Sequence, residues 1–355
     1  MATAAQGTIP ADAEGPGQRP PGVGGAQGWA GRLAKRFLTL REGSVILVTA
    51  ITIIYFVATT PNFATGDNAK NLLPYFAPFA ILGAGQVFVM INGEIDLSIG
   101  AVYLLAPFIF EKLAGGAGFP LIPALVIALL VCMLIGAING FFVAVVGISS
   151  FVVTLGTLFA LSGLTLVISH AQPVAMPGTS VTGISSFAQI FGGGTYSELI
   201  WAVAIVVVLQ VVLTFTRWGI YTVSVGGNRL GAAEAGIKVH WNMIRNFMLC
   251  ASLAGLVGIL EAVRTTTASP DPAGANEVLF QGISAAVIGG TLLTGGSGTV
   301  VGALIGALFL GVLNDGLIIK GVNADYEFLY LGIAILIAMT LNTFVERVRK
   351  GTVSG

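Results

Sequence analysis

Apolar runs follow one another along this chain, separated by short polar stretches, and their lengths suit a bilayer better than a globular core. A helix needs about 20 predominantly apolar residues to cross the hydrocarbon of a membrane, and about 17 are tolerated. That rule predicts spans near Val45–Thr59, Leu72–Ile91, Leu97–Glu111, Leu121–Val146, Phe151–Ser169, Leu199–Thr216, Asn246–Val263, Val278–Leu293, Val300–Ile319 and Phe328–Thr343. The eighth is the weakest, because Gly289, Gly290, Gly295 and Gly296 crowd its end. The expected fold is all-α: a polytopic membrane protein of about ten transmembrane helices, some broken or short. Eight crossings follow instead if Val278–Leu293 and a neighbour are re-entrant.

Composition sharpens this picture. Hydrophobic residues make up 55% of the chain and charged residues 9%, where a soluble domain carries about 25% charged. A soluble enzyme is thereby excluded, and a net charge of zero leaves no nucleic-acid footprint. Cys132 and Cys250 stand in separate apolar runs and read as buried free thiols, not as a disulfide or metal site. Residues 1–43 open on a Gly-, Pro- and Ala-rich tail without the apolar core of a signal peptide, then turn basic at Arg32, Lys35, Arg36 and Arg41. They read as a disordered cytoplasmic tail, 44–345 as the transmembrane domain and 346–355 as a short basic tail.

Lysine and arginine set the orientation. With both ends cytoplasmic, the inner segments hold Arg19, Arg32, Lys35, Arg36, Arg41, Arg217, Arg229, Lys238, Arg245, Arg347, Arg349 and Lys350; only Lys70, Lys112, Arg264 and Lys320 fall outside. His170–Glu198 is then a long outer loop and 217–245 a long inner one. The inner loop contains "GGNRLGAAEAGIKV", in which Asn228 suits an N-cap and Gly236 the C′ position around a helix of about two turns, some 10 Å long. Its small face of Ala232, Ala233 and Ala235 fits either a plain surface turn or a docking element for another protein.

Chemistry concentrates in "INGEIDLSIG", which sets Glu94 and Asp96 between apolar runs and brackets them with Gly93 and Gly100. A lone charge at the bilayer centre costs roughly 3 kcal/mol or more. If a helix begins at Leu97, Asp96 is its N-cap, with Ser98 nearby, and the anion is stabilised by orphaned N–H groups and the helix dipole. Broken helices with intramembrane carboxylates also line polar passages, which makes Glu94, Asp96, Ser98, Asn139, Thr154 and Asn314 candidates for a substrate pathway. "TGGSGTVVGALIGALFLGVLNDG" lacks the Lys of a nucleotide loop; Gly298, Gly302 and Gly306 form instead a small-residue ridge for close helix packing. "GAINGFFVAVVGISSF" and "GVLNDGLIIKGVNADY" share Gly-x-x-Asn followed by a later Gly, and they follow spans of opposite direction, as an inverted repeat would.

Taken together, "GEIDLSIG", "NGFFVAVVGISSFVVTLGTL", "GGNRLGAAEAGIKV" and "AAVIGGTLLTGGSGTVVGALIGA" resemble the permease subunit of ribose/xylose-type sugar ABC importers, over about Asn68 to Asn342. Glu94 departs from a usual Gly, and Leu279–Phe280–Gln281 stands where many members carry Glu-Leu-Asp; both are more like the xylose type. The resemblance implies a multi-pass protein of the bacterial plasma membrane, a second permease copy, a cytoplasmic ATPase and an extracytoplasmic sugar-binding protein. It implies no cofactor on this chain, with ATP and Mg used by the partner ATPase. It also implies that Gly227, Asn228, Ala232, Ala233, Glu234 and Gly236 form a helix seated in that ATPase. The resemblance implies a pentose or related neutral sugar or polyol as cargo, and the lack of a cationic cluster facing the membrane interior argues against an anionic one. Competing readings are a proton-coupled transporter using Glu94 or Asp96 and a branched-chain amino acid permease. An intramembrane enzyme is disfavoured, because His170 and His240 lie in loops on opposite sides.

Overall fold

The computed structural model describes residues 42–177, 184–323 and part of 326–340. Helices dominate: α1 (Gly43–Thr59), α2 (Gly66–Ile91), α3 (Ile99–Glu111), α4 (Leu121–Phe141), α5 (Ser150–Ser169), α6 (Ile184–Ile190), α7 (Ser197–Phe215), α8 (Arg217–Gly227), α9 (Arg229–Glu234), α10 (Val239–Thr265), α11 (Pro272–Ile288) and α12 (Val300–Ile319). One π-type turn each extends α3 (Lys112–Gly116) and α4 (Phe142–Val146). A two-residue antiparallel pairing joins β1 (Val174–Ala175), in the loop after α5, to β2 (Thr267–Ala268), after α10.

The helix ends follow local chemistry. Thr65 caps α2 by accepting the Asn68 N–H at 3.2 Å, and Thr299 caps α12 by accepting that of Gly302 at 2.9 Å. Asp271 accepts the Ala273 N–H at 3.0 Å, and Pro272 opens α11 where its missing donor costs nothing. Burial sorts the long helices: 72% of the apolar stretch of α2 and 78% of that of α10 is buried, against 17% for α5. On α4, Ile122, Val126, Leu130, Leu134 and Ile138 recur every fourth residue and are all exposed. An apolar stripe of that period on the outside of a bundle faces lipid.

Among the described residues seven helices are long and apolar enough to cross a membrane, where the sequence predicts about ten along the whole chain. α1 and α11 have 17 residues each, about 25 Å of helix against a hydrocarbon core of about 30 Å. The predicted Phe328–Thr343 span lies largely outside the described residues. Two finer expectations also shift. The helix expected at Leu97 begins at Ile99, and Gly298 precedes α12, so only Gly302 and Gly306 belong to its packing ridge.

An internal pseudo-two-fold organises the core. α2 packs on α10, and each then packs on the other's successors: α2 against α11 and α12, α10 against α3 and α4. The run α2–α3–α4 thus matches α10–α11–α12 with reversed direction. Asn71, Gly83, Asp96, Gly136 and Asn139 match Asn246, Gly258, Asp271, Gly311 and Asn314, and every pair is separated by the same number of positions. Matched positions even meet: a Cβ at Gly100 would lie 2.7 Å from the carbonyl oxygen of Ala275, its counterpart in α11.

Glycine permits the closest of these approaches. At Gly306 a Cβ would fall on the backbone carbonyl of Ala285, whereas nothing lies within 4 Å of one at Gly163. Gly306→Ala is therefore expected to destabilise the fold by about 1–3 kcal/mol. Gly163→Ala is expected to be neutral or to gain up to about 1 kcal/mol from helix propensity. Melting of the purified variants in detergent checks this, and equal melting temperatures would remove the packing argument.

Candidate functional site

Between α2 and α3 the chain leaves helical geometry from Asn92 to Ser98, so backbone groups inside the bundle need other partners. Side chains from three helices supply them. The Ile95 N–H donates to Ser150 Oγ at 3.2 Å and the Leu97 N–H to Thr154 Oγ1 at 3.0 Å. Gln86 Nε2 donates to the Asp96 carbonyl oxygen. Asp96 Oδ1 accepts from the Ser98 N–H at 2.9 Å and the Ser98 hydroxyl at 2.6 Å. Asn139 Nδ2 donates to Ser98 Oγ at 2.9 Å, and Thr157 donates to Asn139 Oδ1 at 2.7 Å. Asp96, Ser98, Asn139 and Thr154 are all essentially without solvent contact. Asp96 thus closes an Asx-type turn two residues before the N-cap position, a displaced version of the expected cap.

The same segment anchors the 217–245 connection. Arg229, the first residue of α9, donates from Nη2 to the Asn92 carbonyl at 2.7 Å and to Glu94 Oε1 at 2.5 Å. Asn92 donates to the Thr222 carbonyl at 3.0 Å and accepts from Asn246 at 2.6 Å, and Trp218 Nε1 donates to Asn246 Oδ1 at 2.6 Å. Backbones close in as well: the Gly296 N–H donates to the Ile91 carbonyl at 2.8 Å, and a Cβ on Gly226 would overlap that carbonyl. Gly295 and Gly296 have φ of 87° and 76°, so the left-handed turn and the close approach both call for glycine. Three loops, from α2, α8 and α11, thereby meet at one junction. Asn228 caps α9 by accepting the Gly231 N–H at 2.9 Å, and Gly236 ends it at φ 82°, as the sequence predicts. The alanine face divides: Ala232 is buried against the bundle, whereas Ala233 and Glu234 are exposed beside Leu230, itself 71% exposed.

At the opposite end of the bundle lies a cavity of about 1000 Å³, walled by α2, α7, α10, α11 and α12. Arg264 stands in it between two carboxylates, ion-paired with Glu261 and 3.5 Å from Glu198 Oε1. Gln281 donates to Glu277 at 2.9 Å, and Asn68 donates to Asp315 Oδ2 at 2.8 Å. Asn71, Asn314, Tyr75, Phe79 and Tyr103 complete the wall used below. The connection leading into α7 roofs one side. Phe110, Phe187, Phe191 and Trp201 stack in succession at 4.6–5.6 Å, and Gly192 packs on the Leu260 carbonyl, which sets Gly193 and Thr195 at the mouth.

The predicted pathway residues therefore separate. Asp96, Ser98, Asn139 and Thr154 join in one sealed hydrogen-bonded cluster, Glu94 sits at the loop junction, and Asn314 alone lines the cavity. Sequence reading missed Asn68, Glu198, Glu261, Arg264, Glu277 and Gln281 there. A signal existed in Glu261 and Arg264, an i,i+3 pair within a predicted span or at its edge.

A closed polar junction at one end and an open polar cavity at the other, in a chain built to cross a membrane, are what a solute permease requires. The chain belongs to the family described as branched-chain amino acid transport system / permease component, whose model matches residues 68–339. It is 34% identical to the xylose/arabinose import permease protein XylH of Sulfolobus acidocaldarius over 86% of both chains. It is 34% identical to the ribose import permease protein RbsC of Escherichia coli K12, covering 83% of this chain and 92% of that one. With the D-allose transport system permease protein AlsC of the same organism it shares 30% identity over 86% of this chain and 93% of that one.

The Asp96 geometry has a direct test. Asp96→Asn keeps an acceptor oxygen for both Ser98 bonds and is expected to melt close to the parent. Asp96→Leu leaves the Ser98 N–H without its acceptor in a dry interior, a loss of about 1–3 kcal/mol, and is expected to melt several degrees lower. Equal losses would show that the segment needs the carboxylate charge itself.

Proposed function

We propose that this chain is the permease subunit of an ATP-driven ABC importer that moves a neutral monosaccharide, a pentose such as xylose or ribose or a close relative such as allose. The observation that carries this reading is similarity along nearly the whole chain to permeases named for xylose/arabinose, ribose and allose. The permease works as a pair of copies in the bacterial plasma membrane, with both termini cytoplasmic and α9 on the cytoplasmic side, in keeping with the lysine and arginine bias. A separate cytoplasmic subunit binds and hydrolyses ATP with Mg, and an extracytoplasmic binding protein delivers sugar to the cavity end.

In this reading α9 carries the mechanical input. Its outward residues Leu230, Ala233 and Glu234 contact the ATPase, and Ala232 seats the helix on its own bundle. When the ATPase closes, the load on α9 passes through Arg229 to Glu94 and the Asn92 carbonyl, and through Gly226 and Gly296 to the ends of α2 and α12. The Arg229 guanidinium holds both the Glu94 carboxylate and the Asn92 carbonyl, and at Gly226 and Gly296 backbone meets backbone directly.

The decisive measurement is sugar uptake by proteoliposomes holding this permease, its ATPase and the sugar-loaded binding protein. Uptake is expected to need ATP, to stop with vanadate and to survive an uncoupler; arrest by the uncoupler alone would favour proton coupling. Ala233→Trp is expected to leave insertion and folding intact, since Ala233 is exposed, while abolishing uptake and ATPase co-purification. Overpacking a tight contact costs about 1–3 kcal/mol. Normal transport by that variant would leave α9 an ordinary surface turn. Arg229→Glu alone is expected to lower the sugar moved per ATP, and Glu94→Arg added to it to recover a large part. Failure of the double variant to recover would sever the proposed link.

A further inference from the structure

The cavity at the end away from α9 has a wall chemistry that specifies a ligand. Four carboxylates (Glu198, Glu261, Glu277 and Asp315) face two cations, Arg264 and Lys70. An ionised carboxylate only accepts hydrogen bonds, at about four lone-pair sites. Arg264 pairs with Glu261 and Glu198, Gln281 donates to Glu277 and Asn68 donates to Asp315. Glu198 is buried, and its Oε1 holds no hydrogen bond. The wall is thus rich in acceptor oxygens. Its complement is a molecule that brings many O–H donors and no negative charge.

A second observation points the same way. Tyr75, Phe79 and Tyr103 lie in the same wall, and a pocket with aromatic faces and a few fixed polar groups suits a ligand with one apolar face and one polar edge. A sugar ring has both. The volume, about 1000 Å³, lies at the upper end of ligand pockets, about 300–1000 Å³, so the site would hold such a ring loosely with water around it.

We propose that this cavity is a monosaccharide-binding site of the permease chain itself, in which Glu277, Gln281 and Asn314 hydrogen-bond the sugar hydroxyls and Tyr75 meets the apolar face of the ring. The proposal rests on the sugar-importer reading and adds that the permease, not only its binding protein, discriminates between sugars. Arg264 is a positioning residue: it pairs with both Glu261 and Glu198 and fixes their place in the wall.

The test uses the reconstituted permease–ATPase complex with and without the sugar-loaded binding protein. Without it, radiolabelled D-xylose and D-ribose are expected to bind the complex saturably, competed by each other and not by D-glucuronate or putrescine. Gln281→Leu and Glu277→Gln are expected to weaken that binding about tenfold and to change the ratio of xylose to ribose uptake. Both variants are expected to co-purify with the ATPase as the parent does, which shows an intact fold. Tyr75 is 40% exposed, so Tyr75→Ala gives a variant whose fold does not depend on the change, and it is expected to weaken binding too. An unaltered sugar ratio and unaltered binding in all three variants would overturn the site while leaving the importer reading intact. Displacement of sugar by putrescine, or by D-glucuronate, would overturn the assigned ligand chemistry. Absence of ATP-dependent sugar uptake by the unmodified complex would instead overturn the importer reading.

Discussion

A polar backbone interrupted inside an apolar bundle must find partners there, and that constraint shapes the rest of this molecule. From Asn92 to Ser98 the α2–α3 connection breaks the helical ladder, where each unpaired group costs several kcal/mol. Ser150, Thr154, Gln86, Asn139 and Asp96 answer it, and they come from α2, α4, α5 and the segment itself. Once those bonds form, the helices that supply them cannot shift independently. The break also presents the Asn92 carbonyl and Glu94 to Arg229, so the element that satisfies the interior is the one that receives the loop carrying α9.

Glycine supplies the other half of the design. Where α2, α8 and α11 end, Gly226, Gly295 and Gly296 let three backbones touch, and contacts of that kind leave little room for relative motion. At the other end the matched positions line an open cavity instead: Asn71 and Asn314 correspond to Asn246 and Asn139, which are buried in bonded networks. One sequence pattern, used twice in opposite directions, is closed at one end of the bundle and open at the other.

Much of this was legible in the sequence, and the limits have physical causes. Asn228 and Gly236 were readable as the ends of α9 because capping depends on local backbone geometry alone. Asp96 was readable as a cap but two residues off, since an Asx-type turn and an N-cap use the same acceptor with different registers. The Gly-x-x-Asn echo at Asn139 and Asn314 pointed to the repeat, whose remaining matches are too sparse to find without the helix pairings. The cavity was not legible. Glu198, Glu277 and Asn68 are far apart in the chain, and each reads alone as a polar residue at a helix end. Nor could the alanine face of α9 be divided into its buried and exposed members, because six residues hold too few turns to define a periodicity.

The reversed repeat also bears on how the chain is threaded into the bilayer during synthesis. Two similar halves must enter with opposite polarity, so their own apolar patterns cannot tell the insertion machinery which way each should face. Lys70 and Arg245 stand at equivalent places in the two halves and would, taken alone, pull both the same way. What breaks the tie is the joining segment, where Arg217, Arg229, Lys238 and Arg245 gather close together, a cluster of cations that resists translocation. On the proposed orientation, the segment that carries α9 acts first as a topological anchor, before any partner is there to meet it.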